Sequence, residues 1–173
     1  MMARLTRSLG LTLILSACGP GLSQSPVADS TEPVQLQVVY RGNRCAAVRP
    51  GVEVIRDTDS WAEWRRQQDR QFFPADDGPG DEETAIDFDR STVIVISMGQ
   101  KPTPGYAIEV LTDSAMLQGG SLNISSIWRQ PAEDAILAQV LTSPCVAIMV
   151  STTRYDTVKI NDQQGDTVID QRI

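Results

Sequence analysis

Few side chains in this sequence are suited to covalent or redox chemistry: there are three cysteines, Cys18, Cys45 and Cys145, and no histidine. Without histidine the chain cannot form a Ser-His-Asp or Cys-His nucleophile, a histidine-ligated zinc site, or a histidine general acid or base. Ser143 with Lys101 or Lys159 could imitate a serine–lysine pair, but no Ser-x-x-Lys spacing is present. Two carboxylates could still form a catalytic pair, since that depends on three-dimensional geometry. No reaction-specific motif is present, however, and we expect no enzymatic activity.

Cys18 follows a short apolar run, 9–17, that is itself preceded by Arg4 and Arg7. A basic start, an apolar stretch too short to span a bilayer and small residues before a cut site are typical of a secretory signal. The residues Leu-Ser-Ala-Cys ending at Cys18 resemble a bacterial lipobox, which implies cleavage before Cys18 and acylation of that cysteine. The alternative is an ordinary signal peptide with a chance cysteine.

Gly19 follows the cysteine, and in Gram-negative lipoproteins the absence of aspartate there implies sorting to the outer membrane. We therefore expect a lipid-anchored protein of the cell envelope, facing the periplasm or the surface, held to the membrane by its acyl chains. Removing 1–17 changes the net charge from −7 to −9, because this segment contains Arg4 and Arg7 but no acidic residue. Such an acidic chain disfavours nucleic acid and anionic lipid as partners.

If Cys18 is lipidated, Cys45 and Cys145 remain as an even pair. In an exported protein such a pair favours a disulfide, and two buried free thiols are the alternative. Two distant cysteines without histidine make a poor ligand set, so no metal or other cofactor is expected.

Three segments follow from composition. Residues 1–17 are the signal peptide, 18–34 a lipidated cysteine with a flexible tether rich in Gly, Pro and Ser, and 35–173 a single globular domain. Within that domain, the acidic loop 75–83 fails the ligand spacing of an EF-hand, so a solvated loop is favoured over a calcium site.

The apolar pattern predicts an α+β fold: a mainly antiparallel sheet of short strands packed with one principal helix at about 60–69. The helix begins with a capping box formed by Ser60 and Glu63. The runs 93–98 and 145–150 are apolar on both faces and therefore predict strands that are covered on both sides. Gly119-Gly120 predicts a hairpin. A last small hairpin over 157–169 is expected at the periphery. The principal extended runs are 35–41, 51–55, 93–98, 106–110, 136–141 and 145–150.

Trp61 and Trp64 lie three residues apart on one face of the predicted helix. They could form a stacking platform for a ligand, but packing against the sheet is the favoured interpretation.

From about Val54 to Val150 the chain resembles the C-terminal domain of the PrcB family of protease complex subunit lipoproteins. The resemblance implies a non-catalytic envelope lipoprotein tied to the assembly or stability of a surface protease. In that family the central turn commonly reads Pro-Thr-Gly-Gly-Tyr, and Pro104 here replaces the first glycine. The matching landmarks are Val54-Ile55-Arg56, Ser60-Trp61 with Trp64, Ile86-Asp87-Phe88, the apolar strand 93–98, the turn 99–108 and Thr142-Ser143-Pro144-Cys145.

The turn from Lys101 to Tyr106 is the candidate surface for binding a partner protein, such as a protease. It is also similar to the Asn-Pro-Thr-Thr-Gly-Tyr loop of chagasin-type cysteine-protease inhibitors, and a proline-rigidified loop suits insertion into a cleft. Two alternatives remain: plain turn chemistry with the Tyr106 ring on the core, and a structural envelope lipoprotein of unknown role. The candidate contact residues are Lys101, Pro102, Thr103, Pro104, Gly105 and Tyr106.

Overall fold

The computed structural model describes residues 31–69, 85–111, 115–151 and 154–173. These residues form one helix, α1 (Thr58–Asp69), and ten strands, which are mostly antiparallel. The predicted α+β class is confirmed. The strands are β1 (Glu32–Pro33), β2 (Leu36–Gly42), β3 (Pro50–Ile55), β4 (Ser91–Met98), β5 (Ala107–Val110), β6 (Met116–Gln118), β7 (Ser121–Arg129), β8 (Cys145–Ser151), β9 (Thr157–Asn161) and β10 (Thr167–Arg172).

One sheet has four strands in the order β2-β8-β4-β3, and all of its neighbours are antiparallel. The central strands β4 and β8 are buried on both faces over most of their length, which is why their sequences are continuously apolar. Ile94 lies opposite Ile148 and Ile96 opposite Val146 in the register of these two strands. The two covered strands expected from the sequence are therefore neighbours at the centre of this sheet.

The second sheet has the order β1-β6-β7-β9-β10, and β5 pairs with the far end of the long strand β7. The hairpin at Gly119-Gly120 joins β6 to β7, and both glycines have positive φ angles, 55° and 78°. Such angles are readily adopted by glycine and avoided by residues with a Cβ. β7 and β9 run parallel, whereas the other pairings in this sheet are antiparallel.

The two sheets pack face to face around the main hydrophobic core. Alternate residues of β4 and β8 point into this core and the residues between them point to the opposite face of the same sheet. Gln171 of β10 also joins the sheets, since its side-chain amide accepts from the Val52 N–H at 3.0 Å and donates to the Val52 carbonyl at 2.8 Å. Fully buried core residues include Ile94, Ile96, Leu122, Ile124, Val146, Ile148, Val158 and Ile160.

Helix α1 covers the outer face of the four-stranded sheet, where Trp64 is only 5% exposed. Trp61 and Trp64 stack with centroids 5.2 Å apart, and Tyr40 meets Trp64 edge-on at 5.0 Å. Arg65 lies over the Trp61 and Tyr40 rings. This packing agrees with the interpretation of the tryptophans as core residues.

The helix begins earlier than the capping box predicted. It starts at Thr58, and Asp57 is the N-cap: its side chain accepts from the Ser60 N–H and the Ser60 hydroxyl, both at 2.8 Å. Ser60 is therefore a residue of the first turn rather than the cap.

Three further regions differ from the sequence-based expectations. The β9–β10 hairpin is not peripheral, because β9 pairs with β7 and its Val158 and Ile160 are fully buried. The apolar run 136–141 forms no strand. β1 lies inside the segment predicted as a tether and pairs with β6.

Among the described residues, no helix is both long and apolar enough to cross a membrane. The acidic loop 75–83, the signal segment 1–17 and Cys18 lie outside the described residues.

Candidate functional site

The turn between β4 and β5 is fixed at its base by hydrogen bonds to Thr142. The Lys101 N–H donates to the Thr142 carbonyl at 2.7 Å, and the Thr142 N–H donates to the Lys101 carbonyl at 2.9 Å. The Thr142 hydroxyl also donates to the Thr103 carbonyl at 3.0 Å. Pro102 and Pro104 fix their own φ angles, and together with these bonds they restrict the conformation of the turn.

The turn presents an outer rim and an inner anchor. Pro102 and Gly105 are exposed, and Thr103 and Pro104 are half-buried. Tyr106 is also half-buried and packs against the core between the sheets, with the Lys101 ammonium 5.4 Å from its ring centroid. The structure therefore brings the six predicted residues together but separates Tyr106, as an anchor, from the exposed rim.

Gly105 has a φ of +94°, and a Cβ added there would lie 3.0 Å from the Cβ of Pro131. The chain after β7 therefore passes close against the turn. Both the conformation and the narrow space explain why this position is glycine.

An ion pair links the two strands beyond the turn. Arg129 of β7 pairs with Glu109 of β5, and its Nη2 donates to Glu109 Oε2 at 2.9 Å. The hydrogen bond from Arg129 lowers the pKa of the Glu109 carboxyl. The pair is exposed and joins two strands that are already paired along their backbones, so its contribution to stability is small.

Cys45 and Cys145 form a disulfide, with their Cα atoms 5.9 Å apart and 100 residues between them in the sequence. Both sulfurs lie in the small core on the outer face of the four-stranded sheet. The pairing is the one that the cysteine count favours. It ties the loop after β2 to the start of β8.

Ser143, two residues before Cys145, also connects the loop after β2 to the segment that leads into β8. Its N–H donates to the Asn43 carbonyl at 2.7 Å, its carbonyl accepts from the Cys45 N–H at 2.9 Å, and its hydroxyl donates to the Ala47 carbonyl at 2.7 Å. The side chain is buried and fully engaged with the backbone. These contacts give Ser143 a structural role.

Beside the turn lies a groove of about 280 Å³, formed between the loop 44–48 and the segment 140–143. Its rim carries the apolar side chains of Val48, Val140 and Leu141. The sequence alone does not reveal this groove, because its two walls are almost a hundred residues apart. The available signal is the apolar run 136–141, whose composition instead predicts an extended strand.

In the described part of the chain, no group of three or more His, Cys, Asp or Glu side chains could hold a metal ion. The hydroxyls of Thr142 and Ser143 both donate to backbone carbonyls. This arrangement can present a rigid surface to another molecule.

Residues 92–151 match the family model described as PrcB C-terminal. The matched segment runs from β4 through β8, so it contains the Lys101–Tyr106 turn, Ser143 and Cys145 but not Cys45 or α1. Neither the curated proteins nor the solved structures contain a match. The predicted resemblance is confirmed over residues 92–151, where the chain is similar to the PrcB C-terminal family model.

Proposed function

We propose that this protein is a lipid-anchored, non-catalytic subunit of the cell envelope that binds another protein, such as a surface or periplasmic protease, and supports its assembly or stability. The family match supports association with a protease complex. The lipobox ending at Cys18 supports the lipid anchor. The outer membrane is the proposed location, and the domain from residue 35 to 173 is the proposed binding unit.

The observation that carries this proposal is the clamped turn. Two backbone hydrogen bonds to Thr142 hold Lys101, and the rim at Pro102 faces solvent. A surface that is already ordered loses less conformational entropy when a partner binds. The turn also lies inside the region that matches the family.

The same pre-ordered turn supports a second candidate, a chagasin-like inhibitor that inserts Lys101–Tyr106 into a protease cleft. Both candidates predict capture of a protease through the turn. They differ in the effect on its activity: an assembly subunit maintains or raises that activity, whereas an inhibitor lowers it.

The test is affinity capture from native envelope extract with two matched variants. Thr103→Asp changes the rim of the turn, while the Thr103 carbonyl that accepts from Thr142 is retained. Gln164→Asp places the same charge on the exposed turn between β9 and β10 and is the control. Thermal unfolding of each variant verifies that the fold is intact.

A protease recovered by the wild type and by Gln164→Asp, but lost from Thr103→Asp at an unchanged melting temperature, supports the proposal. Its activity with and without the purified protein then separates assembly subunit from inhibitor. If no protease is recovered, or if all three proteins recover it equally, the proposed contact is wrong.

A further inference from the structure

The described chain enters the domain at one end of both sheets. Glu32 of β1 lies opposite Leu117 of β6, beside the hairpin that joins β6 to β7. Because β1 runs antiparallel to β6, the chain moves away from that hairpin as it passes from Glu32 to Val34. The Gln35 carbonyl then accepts from the N–H of Ser151, the last residue of β8, at 3.3 Å. The start of β2 therefore lies at the same end of the molecule as the hairpin.

Two further hydrogen bonds place the end of the chain there as well. The Asp156 N–H donates to the Gly120 carbonyl at 3.0 Å, and the Ile173 N–H donates to the Asp156 carbonyl at 2.9 Å. The β6–β7 hairpin, Asp156 and Ile173 thus mark one end of the molecule, which we call the entry end.

The candidate functional site lies at the opposite end. β5 begins at Ala107, immediately after the turn, and Ala107 lies opposite Arg129, the last residue of β7. In the other sheet, Gly42 at the end of β2 lies opposite Cys145 at the start of β8. The turn between β4 and β5 and the loop after β2 therefore lie together at this end, which we call the site end.

Strand β7 gives the separation of the two ends, because it runs from the hairpin to Arg129. Its nine residues span about 27 Å at the usual rise of a strand. The turn between β9 and β10 also lies near the site end, since Gln163 Oε1 accepts from the Trp128 N–H at 2.9 Å. Both sheets therefore have the same polarity, with the chain entry and the candidate site at opposite ends.

The proposed lipid anchor is connected to the domain at the entry end. The 13 residues of segment 18–30 join the acylation site Cys18 to the first described residue, Thr31. A chain of this length spans at most about 45 Å. To bring the site end to the bilayer, this segment would have to extend along the roughly 27 Å length of the domain, which leaves it few conformations. With the entry end toward the bilayer, no such extension is needed.

We propose that the acylated protein holds its entry end toward the bilayer and presents the turn, at the site end, to a water-soluble domain of its partner. The turn then lies about 27 Å or more from the membrane surface, which is beyond the reach of a segment embedded in the bilayer. The inference rests on the proposed function, because it takes acylated Cys18 as the anchor and the turn as the contact.

The first experiment compares the distance of two sites from a vesicle surface in the acylated mature protein. Gln118→Cys places a thiol at the entry end, and Gln164→Cys places one on the turn between β9 and β10. Both replace an exposed glutamine, and each variant has a single free thiol because Cys45 and Cys145 are bridged and Cys18 is acylated. The same donor dye is attached to each, and energy transfer to acceptor headgroups in phosphatidylcholine vesicles is measured.

We expect more energy transfer from the Gln118 site than from the Gln164 site, by an amount that corresponds to a height difference of about 20 Å. Thermal unfolding of both labelled variants verifies that the fold is intact. Equal transfer from the two sites, or more transfer from the Gln164 site, would overturn the proposed orientation and leave the anchor standing. Loss of both variants from the vesicles would instead reject the anchor of the proposed function.

A second experiment identifies the part of the partner that the turn contacts. Pro102→Cys, on the exposed rim of the turn, carries a photo-crosslinker in native envelopes, and Gln118→Cys with the same crosslinker is the matched control. The crosslinker at Pro102 should be recovered on peptides from a water-soluble domain, and the crosslinker at Gln118 should yield lipid adducts. Adducts of the Pro102 site with lipid or with a membrane-spanning segment would overturn the proposal. Absence of any protein adduct at Pro102 would reject the turn as the contact.

Discussion

Gly99 directly follows β4 and has a φ of +70°, and the backbone of Arg49 and Pro50 passes directly beside it. An added Cβ would lie 2.7 Å from the Arg49 carbonyl carbon. Real Cβ atoms do not approach backbone so closely, so the adjacent loop 44–48 would have to shift. Because Gly99 has no Cβ, the start of the turn can lie directly against the backbone of Arg49 and Pro50.

We expect Gly99→Ala to destabilise the protein by about 2–4 kcal/mol, because it adds steric overlap to an unfavourable backbone conformation. Gly165→Ala is the matched control: Gly165 has a φ of +88°, with nothing within 4 Å of the added atom. Its cost should be about 1 kcal/mol, from conformation alone. Urea unfolding of both variants measures the difference, and equal costs would contradict the close approach at Gly99.

Cys18 carries a prediction from the sequence alone. The Cys18→Ala protein should move from the membrane fraction to the soluble fraction, because it lacks the site of acylation. Fractionation with immunodetection measures this, and Ser23→Ala in the same segment is the control. Retention of Cys18→Ala in the membrane would contradict the lipobox interpretation.

At the scale of elements, α1 depends on its cap. Asp57 accepts from the Ser60 N–H, and this bond is the principal reason that the pKa of Asp57 is lowered. A carboxyl whose pKa is lower in the folded state contributes stability above its unfolded pKa of about 3.9, and that stability is lost as the pH falls through the folded value. The helix cap is therefore weakened by acid.

We expect Asp57→Asn to reduce the loss of unfolding free energy between about pH 6 and about pH 2, because asparagine caps the helix without titrating. Asp59→Asn removes one negative charge from the same helix turn and is the control. Urea unfolding across this pH range provides the measurement. The proposed cap would be wrong if the acid dependence of Asp57→Asn equalled that of the wild type.

The elements show what local sequence can predict. Strands β4 and β8 were predictable because burial on both faces requires a continuous apolar run. The helix begins at Thr58 rather than at the predicted Ser60, because Asp57 and Ser60 are both good caps and only packing decides between them. The run 136–141 has a strand-like composition but no neighbouring strand to complete its hydrogen bonds, and no local pattern reveals that.

At the scale of the whole molecule, the missing information is pairing between distant segments. The short β9 has only five residues, yet its parallel pairing with β7 places it in the middle of a sheet. The groove likewise depends on two loops that meet only in the folded chain. The turn at Lys101–Tyr106 was predictable as a unit because its prolines and glycine are contiguous, whereas the anchoring by Thr142 was not.

The disulfide is the strongest covalent constraint on this arrangement. Since it spans 100 residues, the chain-entropy model gives it about 4–5 kcal/mol. Dithiothreitol should lower the urea midpoint of the wild type, whereas the Cys45→Ala/Cys145→Ala variant should start lower and not respond. Mass spectrometry of the unreduced mature protein should find no free thiol at either position, and two free thiols there would contradict the pairing.

The strand order also governs the newly synthesised chain. β2 has its neighbour in β8, so Leu36 lies opposite Val150. A ribosome makes the N-terminal end first, and β2 must remain without that neighbour, and Cys45 without Cys145, until about a hundred more residues have followed. The arrival of β8 then completes the four-stranded sheet and brings the two sulfurs together in one event. Any truncation that stops synthesis before residue 145 thus leaves a reactive thiol beside an uncovered strand edge, a form suited to aggregation and mixed disulfides rather than to a smaller folded domain.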